Sequence, residues 1–319
     1  MFVKSLLSVA SPSGRHARLS ILIFHRVLQE RDPLFPEEVD ILRFDQIMSW
    51  VSSWFNVLPL DEAVQRLKTS SLPARAAAIT FDDGYADNLL NAVPILKKYG
   101  LSATFFIATG FLDGGRMWND TLIESIRLTA AESIDLRWLG LQEFSLVGDE
   151  RRRLALDSLI PEIKHLPGTQ RDDAVARIAA DCRAVLPDDL MLTSLQLRAL
   201  RDEGMGVGAH TITHPILARC TLRQAEEEIA GGRDALEAIL GVKVPLFAYP
   251  NGKLRRDYTP EHVELVKRQG FSAAVSTNWG VSDMTSDLYQ LRRFTPWDER
   301  RIAFGLRLAR QVVVSRLRA

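Results

Sequence analysis

The chain has 319 residues, 46% of them hydrophobic and 25% charged, the balance of a globular protein large enough for one big domain or two small ones. Forty basic and forty acidic side chains cancel, so no overall charge argues for nucleic acid as a partner. Two cysteines exclude a disulfide framework, and no run approaches the ~18 consecutive apolar residues of a membrane span.

In chain order, Met1 to Lys4 leads into a short apolar run, Ser5 to Ala10, that falls short of the roughly 7–15 apolar residues of a secretory core, so a cytoplasmic protein is the expectation. Residues 20–27 read as a buried strand carrying His25 near its end. Phe44, Ile47, Met48, Val51 and Phe55 have helical spacing, and Pro59 precedes a second short helix at Asp61–Leu67. Ala76 to Phe81 is a buried strand that delivers Asp82 and Asp83 at its C-terminal end. A helix over Ala86–Tyr99 stops at Gly100, and Ser102–Ala108 is the next strand. Strand, helix and strand joined by short loops predict an α/β chain with βα units around a parallel sheet or barrel.

Residues 118–200 break that rhythm. They are rich in Leu, Arg, Asp and Glu without a strong β run, and read as a helical insertion. Met205–Ala209 is a glycine-punctuated strand leading into His210-Thr211-Ile212-Thr213-His214. A helix follows at Leu222–Leu240, then a strand at Leu246–Tyr249, a helix at Glu261–Gln269 and a strand at Ser272–Ser276. Residues 300–319 form a basic amphipathic helix: Ile302, Phe304, Leu306, Leu308, Val312, Val313 and Leu317 alternate with Arg300, Arg301, Arg307, Arg310, Arg316 and Arg318. Such a helix suits packing on a barrel, or peripheral contact with an anionic membrane surface.

Asp82-Asp83 and the two histidines carry the chemistry. Neighbouring side chains on a strand point apart, so one carboxylate can ligate a metal while the other stays free as a base. Histidines four residues apart, on one helical turn or a tight loop, reach a single ion. Two imidazoles and one carboxylate leave coordination positions open for water and substrate, as a catalytic site requires. Gly84 and Gly208 permit close backbone approach beside the motifs. A divalent metal, zinc first with Mn, Co, Ni or Fe as alternatives, plus a spare base is the minimum equipment for hydrolysing an amide or ester.

Thr80-Phe81-Asp82-Asp83-Gly84-Tyr85, followed by Ala103-Thr104-Phe105-Phe106 and by His210-Thr211-x-x-His214, resembles the polysaccharide deacetylase family (carbohydrate esterase family four, chitin-deacetylase-like) over about residues 20–115 and 200–295. The resemblance implies a distorted (β/α) barrel over residues 1–299. It implies Asp82 as general base and Asp83, His210 and His214 as metal ligands. The implied reaction removes acetyl groups hydrolytically from N-acetylated sugars of a polysaccharide or lipid-linked glycan precursor. In the third motif, Phe247 to Gly252, Ala248 stands where the family has an arginine that orients the base, and Asn251 where it has an aromatic. By resemblance the Asn251 backbone N–H is the oxyanion donor, with Tyr249 and Pro250 beside it and Tyr249 lining the acyl pocket. His25 resembles the general acid of the exopolysaccharide-type subgroup, whose last motif sits at the N-terminus, and this implies that His25 protonates the leaving amine. Trp118, Trp279 and Trp297 are candidates to stack on sugar faces. Two further readings are a non-catalytic glycan-binding protein on the same fold, and an amide hydrolase or deformylase with a small or lipid-linked substrate capped by the insertion.

Overall fold

The computed structural model describes residues 2–317 apart from Trp297 and Glu299. Trp297 and Arg318 therefore lie outside the described residues, as do the side chains of Arg316 and Leu317.

Helix α1 (Phe2–Ala10) precedes strand β1 (Ser20–Phe24). Helix α2 (Ile41–Trp54), capped by the Asp40 carboxylate on the Arg43 amide, leads to the two-residue β2 (Asn56–Val57) and to α3 (Leu60–Lys68). Then come β3 (Ala76–Phe81), a π-helical stretch at Asn88–Ala92 that continues as α4 (Val93–Lys98), and β4 (Thr104–Ile107). After a long excursion the pattern resumes with α8 (Ser194–Asp202), β7 (Gly206–Ala209), α9 (Leu222–Leu240), β8 (Leu246–Ala248), α10 (Pro260–Arg268), β9 (Ala273–Trp279), β10 (Leu291–Phe294) and α11 (Arg301–Leu317). Capping boxes at Thr193/Gln196 and Thr221/Gln224 start α8 and α9, and Gly241, at φ 67°, ends α9.

Strands β1, β3, β4, β7, β8, β9 and β10 pair in parallel, and β1 pairs with both β3 and β10, which closes a seven-stranded barrel; β2 adds to β3. This is the predicted (β/α) barrel, distorted by having seven strands instead of eight. The alternation along each strand is strict. Ile21, Ala76, Ala78, Phe106, Leu246, Ala248, Ala273, Val275 and Leu291 form one buried cluster. Their neighbours Leu22, Phe24, Ala77, Ile79, Phe81, Phe105, Phe247 and Ala274 join the helices in another. The first set fills the barrel and the second faces the helical layer. A narrow barrel needs small residues: a Cβ added at Gly208 would meet the Phe106 ring at 2.4 Å.

The excursion contains α5 (Trp118–Leu128), an antiparallel hairpin of β5 (Ser133–Asp135) and β6 (Glu143–Ser145), α6 (Asp149–Lys164) and α7 (Gly168–Cys182). It has a core of its own, in which Leu122, Ile126, Leu156, Leu159, Ile163 and Ile178 are fully buried. The hairpin was not expected; only Ile134 and Phe144 of its six residues are buried, too short an apolar signal to read. Helix α8 fell within the predicted insertion, yet its Leu197 and Leu200 pack in the barrel's outer core.

Helix α11 buries Phe304, Leu308 and Val312, with Phe304 against Trp50 and Trp54, and leaves Ile302, Leu306 and Val313 exposed. No helix among the described residues is long and apolar enough to cross a membrane.

Candidate active site and metal centre

Extending the barrel-facing parity past the strand ends predicts which side chains meet at the mouth. On β3 it passes from Ala78 through Thr80 to Asp82; on β1 through Ile23 to His25; on β10 from Leu291 to Arg293; on β9 from Val275 to Thr277 and Trp279. Ile23, His25, Asp82, Thr277, Trp279 and Arg293 do line one cavity of about 590 Å³, together with Asp83, His210 and His214.

Asp82 is buried, and both its oxygens are bound by Arg293: Nη1 donates to Oδ1 at 2.7 Å and Nη2 to Oδ2 at 2.6 Å. Arg293 is 1% exposed and is held in place by Nε donating to the Ser276 carbonyl at 2.9 Å. Burial alone would raise the Asp82 carboxyl, but the charges of Arg293 and then His210 outweigh it and hold it below the ordinary value. An arginine beside Asp82, which the third motif lacks, is thus supplied by the last barrel strand. Sequence reading missed it because Leu-Arg-Arg-Phe does not look like a buried strand. The signal is parity: a buried carboxylate at Asp82 demands a cation, and Arg293 has the barrel-facing parity.

Asp83 leaves the strand. Its φ of 76°, followed by Gly84 at 94°, turns its carboxylate away from the Asp82 direction. Its Oδ1 lies 3.5 Å from His210 Nε2 and 3.4 Å from His214 Nε2. His210 Nδ1 is 2.8 Å from the Ala248 carbonyl, which can only accept, so Nδ1 carries a proton and Nε2 is the nitrogen turned toward Asp83. Thr211 and His214, at φ 66° and 54°, fold the histidine motif into a tight loop and not a helical turn. That loop is pinned from α9: Glu228 accepts the amides of Ile212 at 2.9 Å and Thr213 at 2.8 Å, and the Thr213 hydroxyl at 2.7 Å. Left-handed backbone at three non-glycine residues costs energy and persists only where surroundings enforce it.

One carboxylate oxygen and two imidazole nitrogens lie within 4.8 Å of one another. Asp83 Oδ1 is buried without a hydrogen-bond partner. An orphaned anionic oxygen between two nitrogen donors fits a divalent cation in kind and spacing. Burial would raise the Asp83 carboxyl, but His214 and His210 draw it far below the ordinary range; burial pushes His214 down to about 4, which leaves it neutral as a ligand must be. For His210 burial is outweighed by Asp82 and Asp83, which raise it.

His25, exposed at the end of β1, shares this cavity, and its carbonyl takes the Asn88 side-chain amide at 2.8 Å. Asn251, at φ 58°, also lines it, and its carbonyl accepts the Thr277 hydroxyl at 2.6 Å. The reading of Tyr249 and Pro250 as lining residues requires correction. Tyr249 shares the outward parity of Phe247; it is fully buried, its ring stacked 3.9 Å from that of Tyr258, and Pro250 is buried beside it. Trp279 is 46% exposed and stands between this cavity and a larger one, about 860 Å³, beside α11. Trp118 lines a smaller neighbouring cavity.

The family model for polysaccharide deacetylases matches residues 69–132 and 174–274, more than half of the chain. Among curated proteins, YxkH of Bacillus subtilis (strain 168), a polysaccharide deacetylase by name, is 22% identical over 279 residues, covering 87% of this chain and 71% of that one. Among solved structures, the Streptococcus pyogenes deacetylase PplD in complex with acetate superposes with a TM-score of 0.63 at 20% identity, over 92% of this chain and 98% of that one. IcaB from Ammonifex degensii gives 0.59 at 20% identity, over 95% and 99%.

Proposed function

Because the chain belongs to the polysaccharide deacetylase family, we propose that it hydrolyses the N-acetyl groups of sugar residues in a polysaccharide or glycan precursor. The observation that carries this reading is a buried, arginine-paired carboxylate, Asp82, set beside a metal-ligand triad at the mouth of one cavity. A binding protein would have no use for a base held ionised next to a metal site.

In this reading Asp83, His210 and His214 hold a divalent ion, zinc by preference of the donor set, which supplies Lewis acidity toward water and the acyl carbonyl. Asp82 takes a proton from the attacking water. Arg293 uses one lone pair on each carboxylate oxygen and leaves another on each, so the base stays ionised, oriented and still able to accept. The Asn251 backbone N–H donates to the carbonyl oxygen as charge develops there. His25 gives a proton to the sugar nitrogen as the C–N bond breaks, and acetate and a free amine leave.

The test is acetate release from N-acetylglucosamine oligomers by zinc-reconstituted protein. Asp82→Asn and His25→Ala should each lower kcat by about 10²–10⁴, with bound metal unchanged. No acetate from fully metallated wild type would sink the reading.

A further inference from the structure

The metal-ligand cluster faces two cavities. The second, about 210 Å³, shares Asp83, His214 and Asn251 with the first and is closed on its far side by α5, α6 and α7. From these helices come Trp118, Lys164 and Arg171. Both cations lie in the stretch between residues 132 and 174 that the family match skips.

The wall they make is poorly neutralised. Lys164 is half-buried, and burial lowers its pKa. The acid that acts on it, Asp257, is already engaged by the Lys253 amide at 2.9 Å and by Arg256 at 3.3 Å. Arg171 pairs with Asp172 at 3.7 Å, but that aspartate side chain is 71% exposed and the pair is correspondingly weak. The Arg171 Nε is buried without a hydrogen bond, and its guanidinium sits 5.7 Å from the centre of the Trp118 ring. Among the described residues, the cavity contains no carboxylate apart from the metal-ligand candidate Asp83. Two half-buried, weakly paired cations beside an indole face suit an anion carried on a flat or ring-shaped body.

We propose that this cavity is a subsite for a carboxylate-bearing sugar, a uronic acid, in the glycan chain next to the N-acetylated residue being cleaved. Trp118 packs on the sugar ring, and Lys164 and Arg171 take its carboxylate. The proposal rests on the deacetylase reading above and adds a substrate class to it: an acidic, not a neutral, N-acetylated polysaccharide.

The experiment uses the zinc-loaded full chain and two oligosaccharides of the same linkage. One alternates N-acetylglucosamine with glucuronate; the other is its carboxyl-reduced counterpart, with CH₂OH in place of each carboxylate. Wild type should favour the acidic oligosaccharide in kcat/KM by about tenfold or more, through KM, the size of one charge-assisted hydrogen bond. The preference should collapse toward unity in Lys164→Gln/Arg171→Gln and persist in Lys164→Arg. Should the double variant fail to fold, the single Gln variants carry the test, each with a reduced ratio. Acetate released equally well from both oligosaccharides by wild type would overturn the subsite while leaving the deacetylase reading intact. Acetate from neither, and none from neutral N-acetylglucosamine oligomers, would overturn both.

Discussion

The mouth of the barrel and the helical cap beside it, which meet around the smaller cavity, are built by different means. On the barrel side the candidate groups extend strands or follow them closely, and Asp82, Asp83, His210 and Arg293 are buried. Arg293 holds Asp82, the Ala248 carbonyl holds His210, and Glu228 holds the loop between the histidines. On the cap side the helices pack around a separate core, and the groups they offer, Trp118, Lys164 and Arg171, are half-buried and loosely paired. A rigid side suits chemistry, where displacement of a base or ligand is costly. A side with its own core can change its surface without disturbing the barrel, which suits recognition. The family match covers barrel strands β3, β4, β7 and β8 together with α5 of the cap, and skips 133–173, which hold the cap's hairpin, α6 and the start of α7.

The strongest way to break the comparison is to remove the barrel's buried cation. Arg293→Leu leaves Asp82 buried without a counter-charge and should cost about 3–5 kcal/mol in denaturant unfolding. Arg293→Lys restores charge without the two-pronged geometry and should recover only part of this. Lys164→Leu in the cap, which removes a half-exposed cation, should change stability by under ~1 kcal/mol. If the Arg293 and Lys164 variants unfold at similar denaturant concentrations, the barrel side is not held in the way described.

The same division decides what could be read from sequence. The motifs Asp82-Asp83 and His210-x-x-x-His214 were legible because each follows directly on a short run of apolar or small residues that forms a parallel barrel strand, β3 and β7. Arg293 was not, because its pairing partner lies on the far side of barrel closure, where β10 meets β1 and β1 meets β3. Tyr249 is not a lining residue because its strand parity, shared with Phe247, carries its side chain out into the helical layer. Glu228 is the last of three consecutive glutamates in an ordinary helix, and only the approach of α9 to the histidine loop singles it out. The hairpin of the cap buries just two side chains, below what an alternation pattern can signal.

At the seam between the two regions, Tyr85 from the barrel motif donates its hydroxyl to Asp120 of α5, 3.0 Å from Oδ1 and 3.1 Å from Oδ2. Burial pushes the Asp120 carboxyl up to about 7, with Arg26 and the Tyr85 hydrogen bond offsetting only part of it. A raised carboxylate means that the folded state binds its proton more tightly than the unfolded chain. Its contribution is therefore greatest below the unfolded value near 4 and is lost as pH rises toward 7. Asp120→Asn lacks that slope. The stability of wild type relative to Asp120→Asn, measured without added metal, should fall between pH 4 and 7 by up to a few kcal/mol and then level off. A difference that is flat across this window would show that Asp120 titrates as an exposed carboxylate, and that the seam is wetter than its burial indicates.

Glu228 gives the smallest effect and the finest test of what rigidity on the barrel side is for. Its carboxylate touches neither the ligand atoms nor the cavity; it holds the two amides between His210 and His214. If the left-handed residues Thr211 and His214 persist because this grip enforces them, Glu228→Ala should let the loop relax and separate the two imidazoles. Metal affinity should then drop about 10–100-fold, as expected for loss of a group that orients a ligand, and activity should return with excess metal. Glu228→Gln keeps one acceptor for the amides and should fall between the two. A zinc dissociation constant unchanged in Glu228→Ala would mean that the loop holds its shape through Thr211, whose hydroxyl accepts the His214 amide at 3.1 Å, and that the grip from α9 is redundant.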